Sequence, residues 1–97
     1  MRYLLDTTLI VDHAHGYEPA MELLHRLYED GAELFTCDVV VCEALSGQAR
    51  LGRHRSGGKL GLGDALIAAV AADMGATVVT CNRPDFERHG ASVLTYP

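Results

Sequence analysis

Four short strand-like runs, separated by stretches of helical spacing, constrain this chain more than any other feature of its sequence. The runs are "RYLLD" (2–6), "ELFT" (33–36), "ATVVT" (76–80) and "SVLTY" (92–96), apolar or β-branched and bounded by glycine or polar residues. Between them, "TTLIVDHAHG" predicts a short helix that Thr7 or Thr8 caps and Gly16 stops. Pro19 opens a second helix with an apolar stripe of Ala20, Met21, Leu24, Leu27 and Tyr28, ending at Gly31. Asp38 suits the N-cap of a helix through "VVVCEALSG", with Glu43 near its middle, although three consecutive valines suit a strand equally well. Leu66, Ile67, Val70, Ala71 and Met74 give a helical stripe that Gly75 closes, and "PDFERHG" suits one helical turn. Strands alternating with helices predict an α/β fold, a parallel β-sheet with helices on both faces.

Size bounds what such a fold can hold. A chain of 97 residues with 48% hydrophobic content suits one small domain, 1–97, whose single core is only just adequate. No apolar stretch reaches the roughly 18 residues of a membrane span. The opening "MRYLLDTTLIVD" carries Asp6 and Asp12 where a signal peptide needs an unbroken apolar core. A cytoplasmic protein without membrane contact is expected. Cys37, Cys42 and Cys81 are odd in number, lack C-x-x-C spacing and lie in or beside apolar runs, as reduced, buried packing residues would.

The net charge of −5 argues against a general nucleic-acid coat protein, which advertises a basic surface. Its distribution points elsewhere. Of the eight Lys and Arg, four (Arg50, Arg53, Arg55, Lys59) fall in "RLGRHRSGGK", and no acid occurs between Glu43 and Asp64. This basic island lies in a connection, 47–63, with six glycines and little apolar content. Its position beside candidate acids favours phosphate contact over plain solubilisation.

Those acids follow from the rule that an open parallel sheet binds ligands beyond the carboxyl ends of its strands. Asp6 ends the first strand, and Asp85 follows "ATVVT" by five residues in the loop "CNRPDF", with Asn82 nearer. Asp64 opens a helix, whose dipole favours an anion there. Glu43 can point inward from its own helix. Four carboxylates sharing a pocket repel one another unless a cation sits among them. An all-oxygen pocket suits Mg²⁺, which does phosphoryl chemistry.

Four blocks in order, "YLLDTTLIVD", "VVVCEALSG", "LGLGDALIAAVAADMGATVVTCNRPDFER" and a closing "SVLTYP", closely resemble the PIN-domain ribonucleases, specifically the VapC-like toxins of bacterial toxin–antitoxin pairs. The resemblance covers most of the chain. It implies a Mg²⁺- or Mn²⁺-dependent endoribonuclease, a hydrolase acting on structured RNA such as tRNA or rRNA. It further implies a homodimer inhibited by a cognate antitoxin whose tail enters the active-site groove. The family's metal-site acids fall on Asp6, Glu43, Asp64 and Asp85, its polar position before the fourth acid on Asn82, and its hydroxyl position after the first acid on Thr7 or Thr8. One departure is large. The family carries several tens of residues, including two helices, between its second and third acids, whereas 20 residues, Ala44 to Gly63, intervene here. The chain is either shortened in the middle or joins two ordered parts across a missing helical segment, which bears on dimerisation and antitoxin contact more than on the metal site.

Plainer readings compete residue by residue. Asp6 can simply cap the helix after it, Asp64 can be an ordinary first-turn acid, and Glu43 can lie on a solvated face. Asp12 and Asp73 read as surface residues and Asp38 as a cap. His13 and His15 project differently on a helix and lack a third ligand at metal spacing, and no site is expected of His25, His54 or His89 either. Among rival enzymes, a haloacid-dehalogenase-like phosphatase wants a second acid where Thr8 stands, and a response-regulator receiver wants a lysine that "ATVVT" does not supply. The remaining alternative to a nuclease is a degenerate or truncated PIN-like module that binds RNA or an antitoxin partner without cleaving.

Overall fold

The structure, a computed structural model, describes residues 1–45 and 62–97. Among the described residues, β1 (Arg2–Leu5), β2 (Glu33–Phe35), β3 (Thr77–Val79) and β4 (Val93–Leu94) form one parallel sheet ordered β2-β1-β3-β4. Tyr3 lies opposite Leu34 and Thr77, Leu5 opposite Val79, and Val78 opposite Val93. Parallel neighbours require crossover connections. The helices α1 (Thr7–Ala14), α2 (Glu18–Glu29), α3 (Asp38–Leu45), α4 (Leu62–Met74) and α5 (Arg83–Arg88) lie between these strands in the chain. The α/β expectation, a parallel sheet flanked by helices, is what the described residues form. No helix among them is long and apolar enough to cross a membrane.

Each strand feeds two cores because successive side chains point to opposite faces. Leu4 and Val78 pack on one face with Val40, Ile67, Ala68, Ala71 and Phe86 from α3, α4 and α5. Val79, with Tyr3 and Leu5 beside it, packs on the other with Leu9, Ala20, Leu23, Leu27 and Tyr96. Both faces being covered, the central strands read as unbroken apolar runs rather than as alternating ones.

Helical phase departs from the predicted stripes. In α2 the buried row is Ala20, Leu23 and Leu27, while Met21 is 41% and Tyr28 74% exposed. In α4 Ile67, Ala68 and Ala71 are buried in the core on one face of the sheet and Leu66 is exposed. The three valines of α3 are helical: Val40 is buried, Val39 half-buried and Val41 exposed, so tertiary packing of one face overrides their strand preference. α3 begins at Asp38, as the capping reading expects to within one residue. Gly31 and Gly75 end α2 and α4 with φ of 77° and 65°, a left-handed backbone that a Cβ disfavours.

Further expectations need correction. The N-cap position of α1 is Asp6, not Thr7 or Thr8, and it makes no side-chain capping bond; both threonine hydroxyls are committed to tertiary contacts described below. Asp12, expected at the surface, is buried and accepts a 2.8 Å hydrogen bond from the Tyr96 hydroxyl. The three cysteines are free thiols, but Cys37 and Cys81 are only half-buried and Cys42 is exposed. Asp85 lies within α5 rather than in the loop before it, and α4 already includes Leu62 and Gly63, which the sequence assigns to the glycine-rich connection. The rest of that connection, with Arg50, Arg53, Arg55, Lys59 and His54, lies outside the described residues.

Candidate active site

β1 and β3 are neighbours at the centre of the sheet, yet the chain leaves β1 toward β2 on one side and reaches β3 on the other. Such a reversal opens a crevice at the carboxyl ends of the two strands, where open α/β sheets take their ligands. Asp6 is the first residue after β1 and Thr80 the first after β3, and the Asp6 N–H donates to the Val79 carbonyl at 3.0 Å. The side chains close the same gap. Asp6 Oδ2 accepts from Thr80 Oγ1 at 2.8 Å and from Thr8 Oγ1 at 3.1 Å, with all three residues at most 1% exposed. A buried carboxylate is costly unless donors meet it, and here two hydroxyls from opposite sides of the crevice do so.

The network continues toward α5. Thr80 Oγ1 accepts from the Asn82 N–H at 2.9 Å, and Asn82 Nδ2 donates to Asp85 Oδ2 at 2.9 Å. Arg88 Nη2 then lies 3.2 Å from Asp85 Oδ1. On the opposite side, Thr7 Oγ1 donates to Glu43 Oε1 at 2.7 Å, fixing a carboxylate from α3 against the first turn of α1. Glu43 reaches α4 as well. A Cβ placed on Gly63 would lie 2.6 Å from Glu43 Oε2, so the missing side chain makes the space that this oxygen fills. Asp64 is the next residue, 1% exposed in the first turn of α4.

The structure therefore links Asp6 to Asp85 through Thr80 and Asn82, and sets Glu43 between Thr7, the residue after Asp6, and Gly63, the residue before Asp64. Among the described residues, no three Asp, Glu, His or Cys side chains form a ready-made ligand set for one ion. Thr7 donates to Glu43, Thr8 to Asp6 and Asn82 to Asp85. Thr80 is the residue the sequence reading misses. It sits at a strand's carboxyl end, as Asp6 does, and the same rule applied to hydroxyls as well as acids finds it.

A second polar group backs the crevice. Burial pushes the Cys81 thiol up from its ordinary value, the charges of Asp12 and Asp6 add to that, and hydrogen bonds with Thr8 and Tyr96 only partly oppose it. A thiol held protonated is a poor nucleophile. Tyr96 is also pushed up, by burial and then by its bond to Asp12, and so remains a hydroxyl donor. A groove of about 340 Å³ lined by Leu5, His13, Met21, Leu24, His25, Tyr28 and Leu34 contains none of the four acids.

Gly63→Ala tests the cradle. Alanine is a better helix former than glycine by up to about 1 kcal/mol, and the atom it meets ends a flexible side chain, so the melting temperature should change by only a few degrees. Glu43 must move, and any activity that uses its carboxylate should fall at least about tenfold. Unchanged activity would show that the position of Glu43 does not matter. Comparison with known protein families, with curated proteins and with solved structures finds no match to this chain.

Proposed function

We propose that this chain is a metal-dependent endoribonuclease of the PIN-domain, VapC-like kind, the toxin of a toxin–antitoxin pair acting on tRNA or rRNA in the cytoplasm. The observation that supports it is the hydrogen-bonded network at the carboxyl ends of β1 and β3, in which the buried carboxylates of Asp6, Glu43 and Asp85 are met by Thr80, Thr7 and Asn82 in turn. The donor chemistry fits Mg²⁺ or Mn²⁺, since every candidate ligand is an oxygen. Mg²⁺ usually takes one or two carboxylates and completes its shell with waters and substrate phosphates, so a three-carboxylate cage is not required. Asp6, Glu43 and Asp64 would hold the ion, directly or through its waters. Bound there, such an ion would supply an activated water for attack on phosphorus and charge stabilisation for the leaving oxygen.

The protein's own contribution is positioning. Thr8 and Thr80 fix the Asp6 carboxylate, Thr7 fixes Glu43, and the glycine at position 63 leaves room for the Glu43 carboxylate beside the first turn of α4, where Asp64 lies buried. Arg50, Arg53, Arg55 and Lys59 are proposed as backbone contacts, which position RNA without choosing its sequence. A cognate antitoxin and a second copy of the chain are the proposed protein partners, on the strength of the resemblance.

Incubating the protein with total tRNA, with and without Mg²⁺, tests the reading. Discrete fragments should form only with the metal, and Asp6→Asn should reduce them at least about a hundredfold, because even groups behind a metal's ligands cost ten- to a hundredfold. Binding of tRNA with no cutting by the wild type would assign the chain as a non-cleaving module instead.

A further inference from the structure

We infer that Arg88 is a phosphate-contacting residue for RNA, oriented at the rim of the crevice by Asp85. The inference rests on the nuclease reading for the identity of the ligand, and on the following geometry for the rest. Asp85 is 1% exposed, and both of its oxygens face protein donors: Oδ2 takes the Asn82 amide at 2.9 Å, and Oδ1 lies 3.2 Å from Arg88 Nη2. Oδ2 thus holds Asn82 by a hydrogen bond, and Oδ1 faces Arg88 as an ion pair.

Arg88 itself is different, with its side chain 52% exposed. A guanidinium carries five N–H donors in a rigid fork. With one nitrogen beside Asp85, the remaining N–H groups of this half-exposed side chain can turn to solvent. An i,i+3 pair on α5 keeps the fork next to the carboxylate that, through Asn82 and Thr80, leads to Asp6.

The electrostatic need is plain. A polyanion entering a crevice lined by carboxylates meets like charge, and a guanidinium beside them, able to bind phosphate bidentately, offsets it. The other described arginines are placed elsewhere. Arg2 bonds the Met74 carbonyl and pairs with Glu33 at the amino end of the sheet, Arg83 pairs with Glu87 on the exposed side of α5, and Arg26 belongs to the last turn of α2. Among the described residues, Arg88 is the arginine paired with one of the four acids.

Fluorescence anisotropy with a labelled 20-nucleotide single-stranded RNA, in EDTA so that nothing is cut, reads the contact across a series of KCl concentrations. Arg88→Ala should weaken binding about three- to tenfold at 100 mM KCl and lower the salt slope by about 0.7, the value for one phosphate contact on a single strand. Arg88→Lys should restore most of the slope, since it keeps the charge. Removing Arg88 leaves the buried Asp85 short of a countercharge, so the double variant Asp85→Asn with Arg88→Ala is measured alongside and should show the same loss in a stably folded protein. An unchanged slope in both variants would mean that Arg88 only balances Asp85, and would overturn the inference. No binding by the wild type would overturn this inference together with the nuclease reading. A reduced slope in a protein that fails to cut RNA with Mg²⁺ would uphold the contact and overturn the nuclease reading alone.

Discussion

Asp64→Asn should abolish Mg²⁺-dependent RNA cleavage while leaving the fold intact or slightly more stable. The residue lies in the first turn of α4 and is 1% exposed, beside the glycine against which Glu43 packs. Asparagine keeps its size and one acceptor oxygen but removes the charge on which metal binding depends. Two stability effects oppose each other. Losing an anion at the positive end of a helix costs about 0.3–1 kcal/mol, and removing one of several crowded negative charges relieves repulsion in the metal-free protein. The melting temperature in EDTA should therefore stay near that of the wild type, whereas the rise produced by millimolar Mg²⁺ in the wild type should vanish, because a ligand bound only by the folded state raises stability by mass action. A variant that kept full Mg²⁺-dependent activity would remove Asp64 from the site.

Phe86→Ala should be the most destabilising of the substitutions considered, at about 3–5 kcal/mol. Phe86 is fully buried and packs in the core with Leu4, Ile67 and Val78, so it is the residue by which α5 is anchored to the sheet. Nothing small can fill the gap it leaves, because the alanines of α4, Ala68 and Ala71, already line that core. The loss is a large part of the roughly 5–15 kcal/mol that keeps a small domain folded. It should appear as a lower urea midpoint with an unchanged slope. Asp85, Asn82 and Arg88 depend on the same anchor, so RNA affinity should fall in whatever fraction remains folded. A cost below about 1 kcal/mol would show that α5 is not held by this side chain.

The architecture was legible because its signals are local. β-branched runs, helical spacing and glycine stops each depend on neighbours within a few residues, and β1 to β4 with α1 to α5 follow them closely. The face each helix would bury was less legible. Met21, Tyr28 and Leu66 are apolar and correctly spaced, yet exposed, since the side of a helix that meets a sheet depends on which row fits the surface opposite. Asp12 shows the same difficulty for a charge: a lone acid in a short helix reads as surface, while the partner that justifies its burial, Tyr96, stands 84 residues further on.

For the site, the sequence by itself determined the residue types and the sheet edge. A parallel α/β chain places the carboxyl ends of all its strands along one edge, and the acids and hydroxyls that follow those strands go with them; that β1 and β3 are neighbours there is a property of the folded sheet. Only the tertiary structure decided how they are paired. Thr80 meets Asp6 across 74 residues and Thr7 meets Glu43 across 36, and Asp85 meets the Asn82 amide and the Arg88 guanidinium. The physical reason is range: periodicity and capping act within a turn or two of the chain, whereas the desolvation of a buried carboxylate is settled by whichever donors the folded chain brings within about 3 Å of it.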